Sequence, residues 1–283
     1  MFKRNSMTWF VNYLKSNSID ICDRGFSYGD GVFETMLVRN GVILAEQYHR
    51  QRLWRACLRL SIPFTLLQVD DAFHFIRKNA IKTGDQCVKL ILTRGLGGRG
   101  YLPPEKPDVN LIIGFLVAPD YQKETEFGVS LTVSQVKASI NSTMAGLKHL
   151  NRLENVLAKQ DLSLFNQTHS MTPCFESVLL DDDGKVVECV QSNLFWIKSN
   201  MLCTALLNKS GVQGTFRSQI LANYLGGVNL GRFTLDNVLS ADEVFICNGL
   251  MGIVPVTAIY SDNHRFEFVI GKKTKYLQCL IKK

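Results

Sequence analysis

Residues 144–157 read MAGLKHLNRLENVL. Lys148 stands between a small-residue approach, Ala145-Gly146, and a run in which Leu150, Leu153, Leu157 and Leu164 recur at helical spacing, so we expect a helix over 150–165. Residues 129–136 predict a strand upstream. A lysine between strand and helix, flanked by apolar neighbours, loses solvation, and its pKa falls. A neutral amine can then condense with an aldehyde. The plainer reading of a lone lysine, a solvated side chain at a helix start, stays open at this point.

Downstream, residues 176–205 predict a meander of short strands with turns at Asp182-Asp183-Gly184 and Ser199-Asn200. Glu188 falls inside the apolar run VVECV, where a carboxylate needs a partner. A protonated ring nitrogen would be one, and a strand-edge glutamate facing water is the alternative. In GVQGTFRSQIL, Gly214 precedes an expected helix over 215–225, and the free N–H groups of Thr215 and Phe216 would suit a phosphate. A simple glycine turn is the plainer alternative. Expected strands at 243–247 and 253–259 flank the loop Asn248–Gly252.

Upstream, residues 32–45 predict a hairpin turning at Arg39-Asn40-Gly41. Residues 47–60 place Leu53, Ala56, Cys57 and Leu60 on one helical face, with Pro63 fitting the helix end. Arg52 on that helix could grip two phosphate oxygens, or serve only as one of several surface arginines. Residues 88–93 and 109–118 are apolar strands joined by a loop, Arg94 to Pro107, that opens with RGLGGRGYLPP. No Gly-Lys-Ser/Thr follows, so it is not a phosphate-binding P-loop, and a strand rather than a helix follows, so it is not a dinucleotide-binding turn. Its Arg94, Arg99 and Tyr101 could wrap a carboxylate substrate or merely keep the loop soluble.

The polar stretch 117–126 reads as a linker. It divides the chain into a small N-terminal α/β domain, 1–116, and a C-terminal domain, 127–283. The expected class is mixed α/β (α+β). The 283 residues are 46% hydrophobic and 20% charged, ordinary for a globular protein. No run approaches the roughly 18 apolar residues of a membrane helix, and the N-terminus has no signal-peptide core. A cytoplasmic protein without a membrane partner is expected. The eight cysteines stand singly, so neither a disulfide nor a metal is expected. The net charge of +7 is diffuse, with no basic stripe for nucleic acid.

Taken in order, these segments resemble the fold-type IV pyridoxal-phosphate enzymes. The resemblance covers DRGFSYGDGVFET (23–35), HRQRLWRACLRL (49–60), GLKHLNRLENVL, ECVQSNLFW (188–196) and GTFR (214–217). It implies Lys148 as the lysine that carries the cofactor, Glu188 as the acid at the pyridine nitrogen, and Arg52, Thr215 and Phe216 at the phosphate. Asn193 and Asn248 fall in matching stretches and join the expected cofactor pocket. TRGLGGRGY and ICNGLMGIVPV further resemble the aminodeoxychorismate lyase branch. That branch implies cleavage of 4-amino-4-deoxychorismate to 4-aminobenzoate and pyruvate, with Thr35 as a catalytic hydroxyl and Arg94, Arg99 and Tyr101 at the substrate. Aminotransferases of the family place a tyrosine five residues after the lysine. Here that position is Leu153, with Asn151 as the substitute at the ring hydroxyl. A C-terminal domain on a barrel-like sheet and a homodimer are also implied. A D-amino-acid or branched-chain aminotransferase and a non-enzymatic binding module are the alternatives.

Overall fold

The computed structural model describes residues 7–168 and 173–281. The chain divides into two units. The first runs to Pro119 and also takes in Leu147–Asn151; the second comprises Asp120–Gly146 and Arg152 onward. The polar stretch 117–126 holds both the division at Pro119 and most of a short helix, Gln122–Phe127.

The first unit is a twisted sheet with its two longer helices packed on one face. Its elements are β1 (Thr8–Val11), β2 (Leu14–Lys15), α1 (Arg24–Tyr28), β3 (Gly31–Arg39), β4 (Val42–Ile43), α2 (Glu46–Leu60), α3 (Leu66–Asn79), β5 (Asp85–Thr93) and β6 (Asn110–Val117). The strand order is β2-β1-β6-β5-β3-β4, with every pairing antiparallel. The β3–β4 hairpin turns where expected. Asn40 and Gly41 both have positive φ, 50° and 79°, as a two-residue turn matching strand twist demands. Alternation along β3 sends Val32, Met36 and Val38 into a core with Leu53, Ala56 and Cys57 of α2 and Phe73 and Ile76 of α3. Leu60, expected on the same face, is only half-buried. The expectations contain no helix over 66–79. There Thr65 caps α3 reciprocally with Gln68. Phe73 is fully buried, and truncating it to alanine would cost about 3–5 kcal/mol. The opposite face of the sheet borders a pocket of about 790 Å³ lined by Trp9, Phe26, Ile91, Ile112 and Leu150.

The second unit is a curled mixed sheet. In chain order it contains α4 (Gln122–Phe127), β7 (Val129–Val133), α5 (Leu153–Thr168), β8 (Glu176–Leu180), β9 (Val186–Cys189), β10 (Asn193–Lys198), β11 (Met201–Ala205), α6 (Thr215–Asn223), β12 (Val228–Gly231), α7 (Leu235–Leu239), β13 (Glu243–Asn248), β14 (Gly252–Ser261), β15 (His264–Glu267) and α8 (Lys272–Leu280). The order is β12-β11-β10-β13-β14-β7-β8-β9, with β15 on β14. β9 comes back alongside β10 and β11, so the sheet curls on itself. The meander and the Ser199-Asn200 turn stand as expected, with φ of 48° and 68°. The helix after Lys148 differs from expectation. α5 begins at Leu153, and its buried residues are Ala158 and Leu162. Leu153, Leu157 and Leu164 are exposed, and Leu150 is not in the helix. The periodicity was present, but the stripe it marks is not the core face. Among the described residues no helix is long and apolar enough to cross a membrane.

Candidate active site

Lys148 is presented by the first unit, on a strand-like segment against the edge of β3. Phe33 N–H donates to Lys148 O at 2.9 Å and Leu150 N–H donates to Gly31 O at 3.0 Å, with Val32 opposite His149. In that antiparallel register Phe33 lies opposite Lys148, so both side chains emerge on one face. The Lys148 ammonium stands 4.4 Å from the Phe33 ring centroid, within cation–π range. Thr35, two residues along β3, shares that face and is half-buried opposite Lys89. Asn151 Nδ2 donates to Gly29 O at 3.0 Å, and Leu153 is 71% exposed.

The other face of β3 carries a buried charge cluster. Arg52 grips Glu34 through both ends of one guanidinium edge, Nε to Oε1 at 2.7 Å and Nη2 to Oε2 at 2.5 Å. His49 Nδ1 meets Glu34 Oε2 at 2.5 Å. Burial alone would raise the Glu34 carboxyl, but the charges and hydrogen bonds of Arg52 and His49 outweigh it and hold the group at about 2. Burial lowers His49, against the pull of Glu34, and the charges of Arg52 and Lys148 lower it further. The guanidinium edge expected to take two phosphate oxygens therefore holds a carboxylate.

Arg94 is buried at the base of its loop. Its Nε donates to Asp30 Oδ2 at 2.8 Å, and its two terminal nitrogens donate to Ser61 O and Leu60 O at the end of α2. Arg99 and Tyr101, by contrast, are exposed. The expected substrate group thus splits into an inward anchor and two outward side chains.

The second unit presents Glu188 on β9, 6% exposed. Its Oε2 accepts from Asn193 Nδ2 at 3.1 Å and from Val212 N–H at 3.0 Å. The same Asn193 amide donates to Val212 O at 2.8 Å and accepts Gly214 N–H at 3.1 Å. One side chain thereby ties the acid to the start of α6. A Cβ on Gly214 would lie 2.0 Å from Asn193 Oδ1, so only glycine fits. Thr215 and Phe216 open α6 as expected, and the Phe216 ring is in the core. Arg217, 6% exposed, donates Nη2 to Ala205 O at 2.9 Å, while its buried Nε makes no hydrogen bond among the described residues. Asn248 Oδ1 accepts from Leu250 and Met251 N–H, both at 2.9 Å, and its amide donates to Gln191 O at 3.2 Å. A second buried acid, Glu176, accepts Gln191 N–H at 2.6 Å and the Ser192 hydroxyl. Burial pushes it up to about 7, against those two donors.

These groups fit a phosphorylated cofactor with a ring nitrogen. Glu188 is a buried, oriented acceptor for a protonated nitrogen. The start of α6, with the buried Arg217 on its first turn, offers N–H groups and positive charge to an anion. Glu34, His49, Asp30, Arg24, Glu176 and Arg217 were not singled out from the sequence. Glu34 and Glu176 carry the signal used for Glu188, an acid among apolar residues, and His49 and Arg52 share a helix face at i, i+3. No group of three or more potential metal ligands occurs among the described residues.

Comparison with known proteins matches residues 31–259 to the Amino-transferase class IV family. An aminodeoxychorismate lyase of Vibrio harveyi is 35% identical over 278 residues, covering 96% of this chain and 98% of that protein. One from Bacillus subtilis is 30% identical, covering 92% and 87%. The crystal structure of 4-amino-4-deoxychorismate lyase from Pseudomonas aeruginosa superposes with a TM-score of 0.86 at 34% identity, covering 96% of this chain and 97% of that one.

Proposed function

The chain belongs to the amino-transferase class IV family, and from that premise we propose that it is a pyridoxal-phosphate-dependent carbon–oxygen lyase converting 4-amino-4-deoxychorismate to 4-aminobenzoate and pyruvate. The observation that carries the reading is the pairing of Lys148 with the edge of β3, which puts its amine on the same face as the Thr35 hydroxyl. The lyase relatives, similar over nearly the full chain, support that choice over an aminotransferase.

Lys148 would hold the cofactor's aldehyde carbon. Glu188, oriented by Asn193, would hold the proton on the ring nitrogen. The N–H groups of Thr215 and Phe216 would hold the phosphate, with Arg52, gripped along one edge by Glu34, adding its charge beside it and Asn193 and Asn248 shaping the pocket around them. When bound, pyridoxal phosphate supplies an electron sink. With the substrate bound, Lys148 Nζ would take the proton from the carbon that bears the substrate's amino group. Thr35 Oγ1 gives a proton to the departing enolpyruvyl ether oxygen, or orders a water that does. Arg99 and Tyr101 face the substrate carboxylates, and Arg94 acts through the loop it anchors. Formation of the aromatic ring drives the cleavage. The reading includes a cytoplasmic homodimer with a small-molecule substrate and no nucleic-acid or membrane partner.

The test mixes purified holoenzyme with 4-amino-4-deoxychorismate and follows 4-aminobenzoate by fluorescence. Prompt, cofactor-dependent product is expected. Failure to form it, from protein that visibly binds the cofactor and transfers an amino group between amino and keto acids, would replace the lyase with an aminotransferase.

A further inference from the structure

The loop 94–107 has glycines at 95, 97, 98 and 100, so its backbone is expensive to order. One buried side chain holds its middle. Arg24, the first residue of α1 and 4% exposed, donates Nη1 to Gly100 O at 3.1 Å and to Leu102 O at 3.5 Å, and Nη2 to Tyr101 O at 2.8 Å. Its Nε donates to Asp30 Oδ2 at 2.8 Å, the same oxygen that accepts from Arg94. The Tyr28 ring lies 4.9 Å from the guanidinium carbon and 5.5 Å from the Tyr101 ring. The fit is close enough that a Cβ on Gly97 would stand 2.5 Å from Arg24 Cδ.

The loop is therefore fastened by backbone carbonyls, which leaves its side chains outward: Tyr101 is 85% and Leu102 86% exposed. Arg94 fixes the base against the end of α2, and Arg24 fixes the tip. The shared Asp30 carboxylate joins the two guanidinium groups immediately before β3, the strand that carries Phe33 and Thr35.

We propose that Arg24 is a positioning residue for substrate selection, holding the 100–102 backbone so that Arg99 and Tyr101 are presented to the substrate carboxylates. This rests on the reading above that the loop receives those carboxylates. Arg24 is 4% exposed and commits four of its five N–H donors to Asp30 and the three carbonyls, so the role assigned to it is positioning and not substrate contact. A planar five-donor fork is needed to span them, and lysine cannot replace it.

The experiment compares holoenzyme carrying Arg24→Lys, Gly97→Ala or Arg99→Ala with the unaltered protein. It reads KM for 4-amino-4-deoxychorismate, kcat, the absorbance of bound cofactor, and the rate of tryptic cleavage after Arg99. Arg24→Lys is expected to raise KM about tenfold, with kcat within about twofold, absorbance unchanged and faster cleavage at Arg99. Gly97→Ala, a loop change that displaces Arg24 without removing it, is expected to move KM and cleavage the same way, even if Arg24→Lys folds poorly. If Arg99→Ala raises KM while Arg24→Lys and Gly97→Ala leave KM and cleavage unchanged, Arg24 has no positioning role. If Arg99→Ala itself leaves KM unchanged, the loop does not receive the carboxylates, and both readings fall.

Discussion

Replacing Glu34 with glutamine would test the buried cluster beneath the candidate site. Glu34 and His49 are each 1% exposed, and Arg52 is 7% exposed. The carboxylate of Glu34 satisfies both neighbours. Its pKa falls from an ordinary 4.5 to about 2. At about 1.36 kcal/mol per unit, that depression corresponds to about 3 kcal/mol of stability at neutral pH. Breaking a buried ion pair by neutralising one partner costs about 3–5 kcal/mol, so two routes to the magnitude agree. The stabilisation is fully present above pH 4.5 and is lost as pH falls through about 2. At pH 3 roughly 1.4 kcal/mol of it should remain. Urea unfolding followed by tryptophan fluorescence is a suitable assay, since Trp9 and Trp54 lie in the first unit. Glu34→Gln should lower stability by about 3 kcal/mol at pH 7 and by about half as much at pH 3. A variant as stable as the parent at pH 7, or a deficit that does not shrink in acid, would show that Glu34 is not the ionised centre of the cluster.

Lys148→Ala should lose the long-wavelength absorbance of bound cofactor and at least about 10³-fold of turnover; turnover at the parental rate would refute its role. Glu188→Gln should retain cofactor, measured by equilibrium titration, while kcat falls on the order of a hundredfold, with Asn193→Ala falling less because it only orients the acid. Thr35→Ala should reduce kcat about 10²-fold with cofactor absorbance intact, and Thr35→Ser should restore most of it; equal rates for all three proteins would remove the hydroxyl from the mechanism. Glu176, raised to about 7, binds its proton more tightly folded than unfolded, so it lowers stability as pH rises from 4.5 to 7. Glu176→Gln should flatten the pH–stability curve over that window, and an unchanged slope would contradict a buried acid titrating near neutrality.

What could be read from the sequence was mostly local. The α2 face announces itself through Leu53, Ala56 and Cys57, and the β3–β4 turn through Asn40-Gly41, because helix period and positive φ are properties of adjacent residues. The start of α6 at Gly214 is equally local. The leucine stripe of α5 misled for a physical reason. Leu150 pairs with the β3 edge instead of entering the helix, and the buried face passes through Ala158 and Leu162. The Glu34–His49–Arg52 and Asp30–Arg24–Arg94 clusters were not legible as clusters. The first joins β3 to α2, the second joins the residue before β3 to α1 and the 94–107 loop, over 6 to 64 residues of sequence, and that pairing is decided by tertiary register. The inward turn of Arg94 is hidden for the same reason. Its partners are the carbonyls of Leu60 and Ser61, which carry no side-chain signature.

The buried acids show how partner type decides whether the upward push of burial on a carboxyl prevails. Glu34 meets a guanidinium and an imidazole and is held ionised at about 2. Asp30 is likewise kept below its ordinary range: burial opposes this, but its bonds to Arg94 and Arg24 prevail. Glu176 is just as buried, but its hydrogen-bond donors are a hydroxyl and a backbone N–H, and it rises to about 7. Neutral dipoles orient a carboxylate without cancelling its charge, whereas a guanidinium does both. Glu188 takes its bonds from the Asn193 amide and the Val212 N–H, so it belongs with Glu176 in donor type. An acid held this way is aimed by its neighbours, and such dipolar bonds leave the pairing of its charge to an incoming cation. That is the property required of a group meant to hold a proton on a cofactor's ring nitrogen. A second guanidinium gripping Glu188 as Arg52 grips Glu34 would remove it. Introducing arginine at Asn193 should therefore weaken turnover more than alanine there, although it adds a hydrogen-bond donor.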